Sequence, residues 1–365
     1  MTPTRLGRRL LSILIVGAGV ACQSERRAET PADAAVQPRA PQQAMTEPYV
    51  LAPLDTLGDT TTWGLPARLE LVGDYLVVAD FYATYQVVVL DAQTGREFGA
   101  FGRKGSGPRE IQEPDLLFIE STVPPRLWIY DTGNDRFSLW ALDEVGPLTA
   151  PIESFRVKSE GGFREAFLTT SGIVSTRKYG DALLYLADSS GRVRKTVGEL
   201  PYPSTDYLYD AEVNYPLPSA DPARQRLVLS YLRTNRLDFY DVAGRHIATG
   251  AVPVEVPPLR VAVVDGLRRY ERPLPMTFGR ASATARRVYV PYCHRCTTAD
   301  RGAEYRLVQV FDWTGVFLGT LDLGTSIWAV EASDDDSVLY AAVVDPYPLV
   351  LRFLIPEALR SRKGR

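Results

Sequence analysis

Tyr75-Leu-Val-Val-Ala-Asp80, then Gln86-Val-Val-Val-Leu-Asp91, then Thr94-Gly95: this stretch decides how the chain is read. Each apolar run is short, rich in β-branched residues and closed by Asp, which is the signature of a strand meeting a turn. An Asp at such a place accepts hydrogen bonds from the backbone just after it, and Gly supplies the positive φ of a tight turn. The phrase recurs as Leu142-Asp143-Glu-Val-Gly146, Ala187-Asp188-Ser-Ser-Gly191, Tyr240-Asp241-Val-Ala-Gly244 and Phe311-Asp312-Trp-Thr-Gly315. A second strand precedes each copy, at Leu76 to Ala79, Leu127 to Tyr130, Gly172 to Ser175, Leu227 to Ser230 and Val288 to Pro291. Helical periodicity is almost absent.

A repeat of roughly fifty residues with several strands per copy points to a β-propeller. Each Asp-Gly turn is expected to join the third and fourth strands of a blade. A further unit lacks that turn but keeps its strands, at Ile327 to Ala332, Val338 to Val344 and Leu349 to Ile355. The expected fold is all-β, a six-bladed propeller over residues 48-356, with seven blades as the runner-up. Pro48 to Leu57 is placed to add a strand to the last blade and close the ring, which removes exposed sheet edges. The longest step between turns, from Asp241 to Asp312, is read as holding an insertion that includes Cys293 to Ala303. Residues 357-365 read as a basic C-terminal tail.

Between the first two units lies Gly102-Arg-Lys-Gly105-Ser-Gly107-Pro108-Arg-Glu110, ending at Pro114. It is not a phosphate loop: a hairpin precedes it, no helix opens after it, and Gly-Lys-Ser/Thr is missing. It reads as a structured crossing in which Gly105 and Gly107 allow tight φ, Pro108 fixes one, and Glu110 accepts backbone N–H groups. Gly102, Gly105, Gly107, Pro108, Glu110 and Pro114 together resemble the signature of bacterial six-bladed β-propeller lipoproteins, themselves similar to proteins with NHL repeats. The match is strong over the first two units and weakens from about Gly161 onward. The resemblance implies the fold and an exported, often lipid-anchored location, and it carries no established activity.

The N-terminus fits that location. Arg5, Arg8 and Arg9 precede a short apolar run, Leu10 to Ala21, too short for the roughly 20 residues that span a bilayer. Gly19-Val20-Ala21-Cys22 resembles the lipobox of bacterial lipoproteins, in which Cys22 would be lipidated; Gly19 stands where an aliphatic residue is usual. An ordinary secretory signal, or a twin-arginine signal at Arg8-Arg9, are the other readings. Residues 22-47 are rich in Ala, Pro, Gln, Glu and Arg, a composition that cannot bury enough apolar surface to offset chain entropy, and they are expected to be a disordered tether. Gln23-Ser24 lacks the Asp that retains some lipoproteins in the inner membrane, which favours the outer one.

The whole chain carries a net charge of -3, and loss of Arg5, Arg8 and Arg9 makes the remainder three charges more negative. An acidic body argues against nucleic acid as a partner. Two of the three Cys remain beside the lipobox, in Cys293-His294-Arg295-Cys296. A local disulfide, a metal site needing two further ligands, a redox pair, and two unpaired thiols are the readings. His246 is the one other His, so His-based catalysis has little room.

The expectation is a monomeric, non-catalytic binding or scaffolding module at the cell envelope, without cofactor, holding a protein, peptide or glycan. The alternative is a metal-dependent hydrolase, lactonase or lyase with a Ca²⁺-like ion on the propeller axis. Its candidate oxygen ligands are Glu110, Asp115, Asn134, Asp210, Glu212 and Glu331. Tyr82, Tyr85, Tyr207, Tyr209 and Tyr215 are candidates for a recognition face, and Asp334-Asp335-Asp336 reads as a solvated turn.

Overall fold

The first strands of the body do not belong to the unit that follows them. In the computed structural model, β1 (Tyr49–Val50) lies parallel to residues near the C-terminus, with Tyr49 opposite Leu321 and Val50 opposite Asp322. β2 (Asp55–Leu57) pairs antiparallel with the last strand, Asp55 opposite Arg352. The structure describes residues 47–58, 63–120, 122–143, 145–157, 162–169, 171–177, 180–201, 213–223, 225–253, 259–264, 267–299 and 305–361. The segment expected to be a signal and tether, with Cys22, lies outside them, as do Asp210, Glu212, Tyr207 and Tyr209.

The chain then runs through a series of antiparallel meanders. β3 (Pro66–Val72), β4 (Tyr75–Asp80), β5 (Tyr85–Asp91) and β6 (Glu97–Lys104) form one sheet, with β7 (Glu110–Ile111) added parallel to β6. β8 (Pro114–Glu120), β9 (Arg126–Asp131), β10 (Arg136–Ala141) and β11 (Glu153–Arg156) form the next. β12 (Glu165–Thr169), β13 (Gly172–Thr176), β14 (Ala182–Ala187) and β15 (Val193–Glu199) follow, then β16 (Pro216–Ala220), β17 (Arg226–Tyr231), β18 (Leu237–Asp241) and β19 (His246–Gly250). After a two-stranded hairpin of β20 (Val261–Val264) and β21 (Leu267–Tyr270) comes a larger sheet. It contains β22 (Pro275–Phe278), β23 (Ser282–Ala283), β24 (Arg287–Thr297), β25 (Tyr305–Asp312), β26 (Phe317–Ala332), β27 (Val338–Val343) and β28 (Leu349–Leu354). β26 is continuous, so its first half ends one meander and its second half begins the next. The result is an all-β fold in a β-propeller arrangement.

Both faces of these sheets are covered, which explains why the strands are apolar without alternation. In β4, Leu76 and Val78 pack with Val350, Tyr340 and Ala342 of the last meander. Val77 and Ala79, pointing the other way, pack with Leu127, Ile129 and Trp140 of the next. Ring closure is polar as well as apolar. The Arg352 guanidinium meets the Asp55 carboxylate and donates to the Ala92 carbonyl at 3.3 Å, and the Tyr340 hydroxyl donates to the same carbonyl at 3.1 Å.

Several sequence expectations are revised. The Asp143–Gly146 phrase opens a long connection from β10 to β11 rather than a tight hairpin, with the Gly146 N–H donating to Thr149 Oγ1 at 2.8 Å. The long step before Asp312 holds the β20–β21 hairpin, while Cys293 to Thr297 continues strand β24. Asp336 is fully buried: Thr284 and Tyr289 hydroxyls and the Arg286 guanidinium donate to it, so only Asp334 and Asp335 of that run stay exposed. Past residue 356 the chain forms a short helix, α1 (Glu357–Arg360), whose Leu359 is buried against Gly319. No helix among the described residues is long and apolar enough to cross a membrane. Ala341 to Ile355, a strongly apolar run, forms most of β27 and β28 taken together.

Candidate functional site

The turn Asp residues are occupied by their own backbone. Asp91 accepts from the N–H groups of Gln93 and Thr94, Asp188 from Ser190 and Arg192, Asp241 from Arg245, and Asp312 from Thr314 and Val316, all within 2.7–3.1 Å. A second set of Asp caps lies deeper. Asp80 closes β4 and takes the Gly64 and Leu65 amides at 2.6 and 2.7 Å; Asp131 closes β9 and takes Gln112 and Glu113 at 3.0 and 2.9 Å. Both are fully buried, and each pins the chain that enters the innermost strand of its own sheet, β3 or β8.

The Gly-rich crossing is built as its residues suggest. Glu110 Oε2 accepts the Gly107 N–H at 2.8 Å, and a Cβ at Gly105 would stand 2.1 Å from the same oxygen. Gly102 has φ +72, and a Cβ there would meet Ile111 at 2.4 Å. Asn134 Nδ2 donates to the Gly105 carbonyl at 3.0 Å and to Asp131 at 2.6 Å, and Arg136 donates to Gly107 and Glu110 carbonyls. Pro108 lies in the turn and Pro114 opens β8. Glu110 and Asn134, two candidate metal ligands, are therefore structural.

The other two described candidates, Asp115 and Glu331, line a cavity of about 110 Å³ along the innermost strands. Its wall can be derived from strand register. The third residue of each second strand is Val77, Trp128, Val174, Val228, Tyr289 and Tyr340. Their partners on the inner strands are Glu70, Phe118, Phe167, Ser219, Ser282 and Glu331. All of these line the cavity. One layer around the axis thus runs from polar, through Ser219, Ser282, Glu331 and Glu70, to aromatic, through Phe118 and Phe167. The cavity extends past β16 to Asp221 and Pro222 and past β26 to Asp334, so it reaches the turns at that end of the strands.

Deeper in the cavity the charges are paired. Arg68 Nη2 meets Asp115 Oδ1 at 2.6 Å, and Arg68 Nε donates to the Asp115 carbonyl at 2.8 Å. Arg280 Nη2 lies 2.5 Å from Glu165 Oε1 and 4.0 Å from Asp115, and Arg280 Nη1 donates to the Pro218 carbonyl at 2.7 Å. The Tyr215 hydroxyl donates to Glu165 at 3.2 Å. Tyr215 is thus a partner of the axial ion pairs, while Tyr82 is exposed. Burial holds the Glu165 carboxyl above the ordinary range, with Arg280 opposing.

Near the turns the carboxylates crowd instead. Burial, then the neighbouring Glu70 carboxyl, then Asp334 push Glu331 well above the usual carboxylate range. The Ser282 hydroxyl and Leu71 amide hydrogen-bond it and pull the other way. Ser282 is itself fixed, its Oγ accepting the Ala332 N–H at 2.9 Å, and Ser219 donates to the Ala281 carbonyl at 2.6 Å. Sequence reading missed Glu70, Phe118, Phe167, Ser219 and Ser282 of the layer, and Arg68, Glu165 and Arg280 of the ion pairs. Among the described residues no group of three or more His, Cys, Asp or Glu is arranged to hold a metal ion.

Neither His is near this cavity. His246 lies on β19, its Nε2 3.0 Å from Thr249 Oγ1, and exposed His294 has Nδ1 3.4 Å from the Tyr292 hydroxyl. Cys293 and Cys296 flank His294 where β24 bulges: Met276 opposes Cys296 and Phe278 opposes Tyr292, so Thr277 alone faces three residues. Their Cα atoms are 5.7 Å apart, a separation that a disulfide spans.

No family model matches the sequence, and no curated protein matches it either. The fold is similar to that of a DUF4221 family member from Bacteroides vulgatus, with TM-score 0.54 and 13% identity over 83% of this chain and 97% of that one. It is also similar to a candidate exported protein from Bacteroides fragilis, with TM-score 0.52 and 12% identity over 84% of this chain and 94% of that one. The β-propeller domain of Cps50 (Swd1) from Myceliophteria thermophila matches with TM-score 0.44 and 13% identity over 84% of this chain and 100% of that one. At these identities the likeness is one of fold alone.

Proposed function

We propose that this chain is an exported, lipid-anchored, six-bladed β-propeller that acts as a non-catalytic binding or scaffolding module at the bacterial cell envelope. The observation that carries the reading is the chemistry of the axial cavity. Its arginines are neutralised by carboxylates and its two serine hydroxyls are engaged by backbone, while both His lie on other parts of the body. Such a cavity can hold a group, and among the described residues no Ser of its wall is paired with a His; the Ser282 hydroxyl meets the Glu331 carboxyl instead. The Arg-rich start, the apolar run and Cys22 support export and lipidation, with Gln23-Ser24 favouring the outer membrane. Similarity in fold to a candidate exported protein is in keeping with that address. Cys293 and Cys296 form a disulfide that pins the β24 bulge, and the body works as a monomer holding a protein, peptide or glycan.

The test has two arms. Produced in a bacterial host, the wild-type chain is expected in the membrane fraction and Cys22→Ala in the soluble fraction; membrane retention of the variant would contradict the anchor. The purified chain, with and without Ca²⁺, is expected to leave ester and lactone substrates unchanged. Turnover would overturn the non-catalytic reading.

A further inference from the structure

We infer that the axial cavity receives an organic cation, the ammonium or guanidinium end of a basic side chain or polyamine, entering past the turns after β16 and β26. This rests on the binding-module reading and names the chemistry of its ligand. Three observations converge. First, the cavity is a built feature of the fold, since one register position on each inner strand supplies the layer that surrounds it. Second, the layer is divided. Phe118 and Phe167 are buried on one side and offer aromatic surface to a methylene stem or a cation. Glu331, held by Ser282, stands opposite beside Glu70, with Asp334 at the rim. Third, the cationic residues of the wall are already committed: Arg68 to Asp115, and Arg280 to Glu165.

A cation beside Glu331 would relieve the repulsion among the carboxyls there and could do so without displacing either arginine. An anion would have to break an ion pair first and would then face those carboxyls. A volume of about 110 Å³ suits a side-chain end rather than a folded surface. An aliphatic stem with a terminal charge uses both halves of the layer; a small inorganic cation would leave the aromatic half unused.

Binding is measured on the full-length protein by calorimetry with Nα-acetyl-lysine amide, its neutral isostere Nα-acetyl-norleucine amide, and Ca²⁺ alone. The lysine compound should bind, the norleucine compound at least roughly tenfold more weakly, and Ca²⁺ should not displace the lysine compound. Glu331→Gln should lower affinity by roughly tenfold or more with an unchanged melting temperature or a higher one. If that variant fails to fold, Asp334→Asn, in an exposed turn, should weaken binding by roughly two- to fivefold. Equal binding of both amides, no binding of the lysine compound, displacement by Ca²⁺, or a folded Glu331→Gln with wild-type affinity would each overturn the inference. Enzymatic turnover would sink the non-catalytic reading and leave cation binding standing. Absence of both turnover and cation binding would sink this inference alone.

Discussion

Carboxylates at the rim of the sheets and carboxylates on the axis have the same chemistry and opposite surroundings. At the rim, Asp91, Asp188, Asp241 and Asp312 each have lone pairs filled by amides of the turn they begin. On the axis, Glu331 faces Glu70 and Asp334 and gains hydrogen bonds from Ser282 and Leu71. The difference teaches which acidic residues are architecture. A carboxylate whose oxygens are met by backbone N–H groups holds a shape; one crowded by its own kind inside a cavity holds unspent interaction capacity. The pKa directions follow the division. Hydrogen bonds bring half-buried Asp188 down to about 2, while burial and like charge raise Glu331.

The largest expected effect lies with the buried caps. Asp131→Ala would leave the Gln112 and Glu113 amides without their acceptor and the buried Arg136 guanidinium without its counter-ion, and should cost about 3–5 kcal/mol in denaturant unfolding. It should not change affinity for a cation in folded protein. Next, Gly105→Ala drives a Cβ against Glu110 and should cost about 1–3 kcal/mol by the same measurement. A neutral outcome would mean that Glu110 is not the fixed cap of the crossing. Asp312→Ala, losing two amide contacts at a turn, should cost about 1 kcal/mol.

The smallest effect on stability, and the one with inverted sign, belongs to Glu331→Gln, which should be neutral or stabilising by up to about 1 kcal/mol at neutral pH. With its folded value raised, native Glu331 holds its proton where the unfolded chain has released it. Wild-type stability should therefore fall as pH rises from the ordinary carboxylate range through the raised value. The variant should lose that part of the slope in melting curves taken across this window. The rim carboxylates act in the other direction: what Asp188 and Asp335 contribute is present above their ordinary values and is lost as pH falls toward about 2. Identical pH profiles for wild type and variant would erase the distinction.

Much of the architecture was legible because it is written locally. The apolar runs became second strands at Leu76, Leu127, Gly172, Leu227 and Val288, and four of the five Asp-Gly phrases, all but Asp143–Gly146, became tight turns because both depend on a few consecutive residues. The closing role of Pro48 to Leu57 was readable from the missing fourth strand after Leu349, and Glu110 from its distance to Gly107. The axial layer was not readable in this way. Glu70, Phe118, Phe167, Ser219, Ser282 and Glu331 come together through pairing across turns of different lengths, so no fixed spacing marks them. Asp115 and Glu331 were picked out as metal ligands because sequence shows an acidic residue and not its neighbours. Arg68 beside Asp115 changes the meaning of the first, and Glu70 beside Glu331 that of the second. Aligning inner strands on the third residue of each second strand was the signal that could have found the layer.

The measurement that tests the axial account most directly is the proton count on binding. Calorimetric titration of the full-length protein with Nα-acetyl-lysine amide, in two buffers of different ionisation enthalpy at a pH just above the ordinary carboxylate range, reads that count. If a cation settles against Glu331, its carboxyl is drawn back to the ionised form, protons are released, and the measured heat differs between buffers in the sense of release. Binding with the same heat in both buffers, or with proton uptake, would contradict the account.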